Sequence, residues 1–164
     1  MTLSLAVAAP DLAALDTPLL VVALPNAPAL DASLQAIDAA TGGAISRALG
    51  RRDFRGGRDE TMHFAGGATG AQRVLLVGLG PATDRRLALR RAGAIAARAA
   101  NRMGVGTLAL YAGPLDAGEV EATGLGLIAG AWDFRELKTP PPPDEERAPL
   151  QEATILASGP AADA

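Results

Sequence analysis

Side chains able to do chemistry are few and scattered in this 164-residue chain. Cysteine is absent, which removes a thiol nucleophile, a thiolate metal site and a disulfide framework together. His63 is the sole histidine, set between Met62 and Phe64 in a stretch that reads as a strand with one exposed face. A lone imidazole has no second one with which to share a metal, and no serine stands beside it as a nucleophile, so it reads as an exposed or hydrogen-bonded structural residue. Asp144, Glu145 and Glu146 follow a run of prolines. Paired catalytic carboxylates need a rigid, partly buried setting, so these three read as linker charges. The remaining pattern is Gly78-Leu79-Gly80, which follows an apolar run and precedes a helical one. That is the context of a phosphate-cradling turn, and Gly78 and Gly80 are the candidates for cofactor contact. Thr83 stands where the third glycine of the fingerprint would be, and no acidic residue ends a following strand at the usual distance. A tight structural turn is therefore the favoured reading, and no catalytic or metal-binding residue is assigned.

The element that must hold this turn runs from Arg73 to Pro81, RVLLVGLGP. Val74 to Gly78 are apolar without alternation and rich in branched side chains, as in a strand buried on both faces, and this is read as the central strand. Such a strand needs helices on each side of the sheet, and the chain supplies three helical patterns. The first begins at Asp31 as N-cap and is stopped by Gly50, with Leu34, Ile37, Thr41, Ile45 and Ala48 on one face and a kink or close contact expected at Gly42 and Gly43. The second spans 84–103, burying Ala88, Leu89, Ala92, Ile95, Ala96, Ala99 and Met103. Arg86, Arg90, Arg91, Arg98 and Arg102 occupy its remainder, as a solvated face or an anion-binding stripe. The third runs from about Asp116 to Leu137. Its Gly124, Gly126 and Gly130 permit close approach to a sheet, and Trp132 and Phe134 are expected to anchor it there.

Further strands are read at 3–9, 18–24, 61–65, 107–111 and 152–158, the third forming a hairpin with the central strand through Gly66, Gly67 and Gly70. The fold class is α/β, three-layered, with a mixed, mostly parallel sheet between helices. One domain covers 1–137, a proline-rich linker 138–149, and the final strand of the same domain 150–160.

Composition narrows the functions. The chain is 49% hydrophobic, carried by Ala, Val and Leu, with only 3% aromatics, so its core should be close-packed. A formal charge of −3 gives no general attraction to nucleic acid or anionic membranes. The apolar N-terminal stretch is broken by Pro10 and Asp11, and no segment approaches the roughly 20 apolar residues of a membrane helix. The expectation is a cytoplasmic protein with no membrane partner.

Three segments, in order and at matching spacing, resemble the N-terminal domain of leucyl aminopeptidases, metallopeptidase family M17: Phe54-Arg55-Gly56-Gly57-Arg58-Asp59-Glu60, Arg73 to Gly80, and Gly124-Leu125-Gly126-Leu127 through Trp132-Asp133-Phe134-Arg135-Glu136-Leu137-Lys138-Thr139. The resemblance covers nearly the whole chain. It implies a macro-domain-like fold preceding a separate catalytic domain that carries two divalent ions, zinc or manganese, held by Lys, Asp and Glu. The family's Asn-Thr-Asp-Ala-Glu-Gly-Arg signature has no counterpart, since Asp116-Ala117-Gly118-Glu119 lacks its order, so no catalytic or metal residue carries over. The catalytic domain is expected to begin where this chain ends, and two-metal hydrolysis needs converging ligands, so this polypeptide alone is expected to be inactive. The implied partners are its own catalytic domain and the subunits of a homo-oligomer, a hexamer in the family. DNA, bound by some members, is disfavoured here by charge and kept in view by the arginine stripe. The rival reading is a free-standing macro-like module for ADP-ribose or a related nucleotide, using glycine loops such as 78–80.

Overall fold

The computed structural model describes residues 2–66, 70–81, 83–132 and 147–157. Phe134, the proline run with its acidic neighbours, and the tail beyond 157 lie outside them. Six strands are present: β1 (Ser4–Ala8), β2 (Leu20–Leu24), β3 (Thr61–Ala65), β4 (Arg73–Gly78), β5 (Thr107–Tyr111) and β6 (Glu152–Leu156). The helices are α1 (Ala32–Ala40), α2 (Ala44–Arg51), α3 (Arg85–Met103) and α4 (Ala117–Ala131). The strands form one sheet in the order β1-β6-β5-β2-β4-β3, parallel throughout except for β3, which runs antiparallel to β4 as the expected hairpin.

This is the mixed, mostly parallel three-layer α/β sheet that the sequence predicts, with a different centre. The middle strands are β5 and β2, while β4 lies one place in from the antiparallel edge. Strand alternation sorts the core into two clusters. Leu20, Val22 and Leu24 of β2, with Val74 and Leu76 of β4, pack on Leu34, Ile37 and Ile45 of α1 and α2. Val21 and Ala23, with Leu75 and Val77, face the alanine-rich side of α3 and Leu127 of α4. Both faces are covered, which is why these strands read as unbroken apolar runs.

The first helical pattern is two helices. Asp31 caps α1, its carboxylate accepting the Leu34 N–H at 2.9 Å. Gly42 and Gly43 then take φ of +62° and +74°, and two successive left-handed residues cannot continue a right-handed helix. Asp38, on α1, accepts the Ser46 N–H at 2.9 Å and so provides α2 with a side-chain cap that its own Gly43 cannot.

α3 is one uninterrupted helix, capped by Asp84 and closed by Gly104 at φ +67°. It is buried on two sides, against the sheet and against α4, which explains an alanine content far beyond one face. Gly126 and Gly130 do not approach the sheet as expected. A Cβ on Gly126 would fall on the Arg90 carbonyl of α3, and one on Gly130 on that of Ala94. Only Gly124 faces the sheet, towards Leu5 and Ile155. Asn101 closes the layer: its amide donates to the Ala131 carbonyl at 3.1 Å and accepts the Leu150 N–H at 2.7 Å, fixing where the chain re-enters to form β6.

Candidate functional site

Open parallel sheets bind ligands outside the carboxyl ends of their strands, so the rim formed by the ends of β2, β4 and β5 is the place to look. Here the chain folds back on itself. The loop 54–60 is pinned by buried Phe54 and crosses the end of β4, where Gly78 donates to the Glu60 carbonyl and Gly80 to that of Gly56, at 2.7 and 2.9 Å. Leu79 donates to Leu24 of β2 at 2.8 Å. The three N–H groups a phosphate cradle would use are therefore engaged within the domain. Gly78 is required by this packing, because a Cβ there would fall on the Gly57 carbonyl.

Glu60 holds the loop from inside, one carboxylate oxygen accepting the N–H groups of Arg55 and Gly57 at 3.0 and 2.8 Å. Asp59, at φ +59°, pairs with Arg91 of α3 at 2.9 Å. A cleft of about 430 Å³ remains beside the loop, lined by Asn26, Pro28, Leu49, Arg52, Phe54 and Arg55.

The ends of β5 and the start of α4 are held by Arg85, which the arginine stripe omits. Its guanidinium donates to the carbonyls of Ala112 and Pro114 at 2.9 and 3.2 Å and pairs with Glu119 at 2.8 Å. Glu119 also accepts the Asp116 N–H while Asp116 accepts that of Glu119, a reciprocal capping box. The spacing Asp116-x-x-Glu119 is the signal that identifies this arrangement in the sequence.

The other candidates do not converge on the rim. His63 is exposed on edge strand β3. Of the stripe, Arg86, Arg90, Arg98 and Arg102 are exposed, whereas Arg91 is half-buried in its pair with Asp59 and Arg86 lies 3.7 Å from Asp116. Trp132 is 73% exposed at the end of α4 rather than buried against the sheet.

The described residues of the rim do not form a set that fits two divalent ions, which the resemblance places in a separate catalytic domain. At the rim, Asp84, Asp116, Glu119 and Glu60 are occupied with backbone N–H groups, and Asp59 with Arg91. Among the described residues no group of three His, Asp or Glu is placed to hold a metal, and no buried side-chain nitrogen or oxygen lacks a hydrogen-bond partner. Nor is any described helix long and apolar enough to cross a membrane.

Comparison with known proteins agrees with this architecture. Among solved structures, a mutant tomato leucine aminopeptidase matches with a TM-score of 0.78 over 99% of this chain at 21% identity, a likeness of fold. The chain spans 34% of that enzyme's length. No curated protein sequence matches. Residues 21–141, from β2 past the end of α4, match the cytosol aminopeptidase family, N-terminal domain. The chain belongs to the cytosol aminopeptidase family, as its N-terminal domain.

Proposed function

We propose that this chain is the non-catalytic N-terminal domain of a cytoplasmic leucyl aminopeptidase, and that its work is assembly. In this reading the two divalent ions and the hydrolytic residues belong to a separate catalytic domain of the parent protein. The present domain packs against it and contributes to contacts between the subunits of a hexamer. The family match over residues 21–141 carries the reading. It is supported by a rim whose carboxylates are occupied with helix caps and ion pairs, with no convergent donor set for metal-assisted hydrolysis among the described residues.

The macro-like nucleotide module is the weaker alternative. Such a site would present free backbone donors to a pyrophosphate, and those of Gly78, Leu79 and Gly80 are turned to carbonyls of the same domain.

The test is direct. Leucine p-nitroanilide should not be hydrolysed by the purified chain with zinc or manganese added, whereas the full-length parent should hydrolyse it. Calorimetric titration of the chain with ADP-ribose should give no saturable heat. Turnover by the chain alone would overturn the non-catalytic assignment, and saturable ADP-ribose binding would replace assembly by nucleotide recognition.

A further inference from the structure

The cleft of about 430 Å³ beside the loop 54–60 lies at the carboxyl end of β2, where Asn26, Ala27 and Pro28 follow the strand and form one wall. This end is a switch point of the sheet. β2 is followed by α1 and α2 on one face, and its parallel neighbour β5 by α4 on the other. Open α/β sheets take their ligands at such points. The opposite wall is the end of α2 and the turn after it, through Leu49, Arg52, Phe54 and Arg55. Backbone bonds fix both walls: the Ala27 N–H donates to the Arg55 carbonyl and the Asp53 N–H to that of Ala48, each at 2.9 Å. Ala27 and Arg52 hold φ of +53° and +61°, two of the three left-handed residues other than glycine among the described residues. Such backbone persists only where its surroundings hold it, and it gathers at ligand sites.

The charge on the cleft is one-sided. Arg52 and Arg55 are exposed, and neither forms an ion pair among the described residues. The Arg55 Nε donates to the Arg52 carbonyl at 3.4 Å, which leaves its terminal nitrogens to other acceptors. Asp53, between the two arginines in sequence, is exposed and is not a wall of the cleft, and the Glu60 carboxylate is taken by the N–H groups of Arg55 and Gly57. We propose that this cleft binds the carboxyl-terminal residue of a peptide, one with an apolar side chain. A guanidinium fork matches the two oxygens of a carboxylate, and half-buried Leu49 and Pro28 offer the side chain an apolar wall. A bare phosphate would leave that wall uncovered. A free amino acid would bring an ammonium, on the same carbon as its carboxylate, up to two guanidiniums with no carboxylate in the walls to offset it. In a peptide that nitrogen is a neutral amide, and Asn26 can hydrogen-bond to it.

The probe is N-acetyl-leucine, titrated into the 164-residue chain in phosphate-free buffer while backbone amide shifts are followed by NMR. Saturable shifts should appear at Asn26, Ala27, Leu49, Arg52 and Arg55. N-acetyl-leucine amide, free leucine and inorganic phosphate should each bind at least about tenfold more weakly, the loss of one charge-assisted hydrogen bond or its equivalent. Arg52→Gln and Arg55→Gln should each weaken N-acetyl-leucine by about tenfold on the same grounds, and Arg98→Gln, on the exposed side of α3, should leave it unchanged. Amide dispersion reports whether each variant is folded, and the comparison of ligands needs no variant. Absence of saturable shifts at these positions overturns the site. Equal binding of the amide overturns carboxylate recognition, and phosphate as tight as N-acetyl-leucine makes the cleft a general anion site instead. Free leucine as tight as its acetylated form replaces the peptide terminus by an amino acid. Binding untouched in both glutamine variants puts the ligand elsewhere and overturns the proposal as well.

Discussion

One methyl group has opposite consequences at two glycines of this domain. At Gly126 a Cβ would fall on the Arg90 carbonyl, backbone against backbone, so neither helix can yield by a side-chain rotation. Gly126→Ala should destabilise by about 3 kcal/mol, the upper end for overpacking, read as a lowered urea midpoint. Gly50 lies inside α2 with nothing within 4 Å of the added methyl, so Gly50→Ala should stabilise by up to about 1 kcal/mol. A lowered midpoint for the second variant would show that its backbone departs from an ordinary helix. In the sequence Gly50 reads as the stop of the first helix, which instead runs on to Arg51 with Arg52 as its left-handed cap, and Gly126 reads as a weak point that permits close approach to a sheet. Nothing in the letters separates a glycine tolerated in a helix from one demanded by a neighbouring carbonyl, because the neighbour comes from a segment some 35 residues away.

At the scale of the element, the loop 54–60 behaves as a fitted part rather than a connection. Glu60 draws the Arg55 and Gly57 N–H groups onto one carboxylate oxygen, while the backbone of the same loop receives the N–H groups of Gly78 and Gly80. Glu60→Ala leaves two donors without their acceptor and should cost about 1–3 kcal/mol, with faster amide exchange at Gly78 and Gly80. Glu60→Gln keeps an acceptor and should recover most of the loss. Unchanged exchange at Gly78 in Glu60→Ala would mean the loop is held without the Glu60 carboxylate, by Phe54, the Asp59–Arg91 pair and its backbone bonds to Gly78 and Gly80. The capping box of α4 makes a similar prediction: Asp116→Ala should cost about 1 kcal/mol in thermal or urea unfolding. Element types are legible where local chemistry decides them, as in the Asp31, Asp84 and Asp116 caps and the hairpin of β3 and β4. The division of α1 from α2 is only half legible. Two glycines signal an irregularity, but whether it is a kink or a full break depends on their both adopting positive φ.

For the whole molecule, the charge balance predicts how it treats polyanions. With a net −3, and with Arg85 and Arg91 spent on Glu119 and Asp59, the remaining exposed arginines of α3 should give a DNA mobility shift only at very low salt. A shift that persists at physiological ionic strength would reopen the stripe as a binding surface. What the sequence by itself determined is the α/β class, the two-sided burial of the strands, the helix caps and the family. The first three follow from residue types and short spacings, and the family from the resemblance of three ordered segments. Only the tertiary structure decided the strand order, which places β2 and β5 rather than β4 at the centre. It alone decided that Gly78 and Gly80 receive a loop, that Gly126 and Gly130 seat α4 on α3, and that Trp132 faces outwards. The reason is physical. A buried run records that both its faces are covered, without recording by what, and the identity of the covering segment is settled by contacts between residues far apart in the chain.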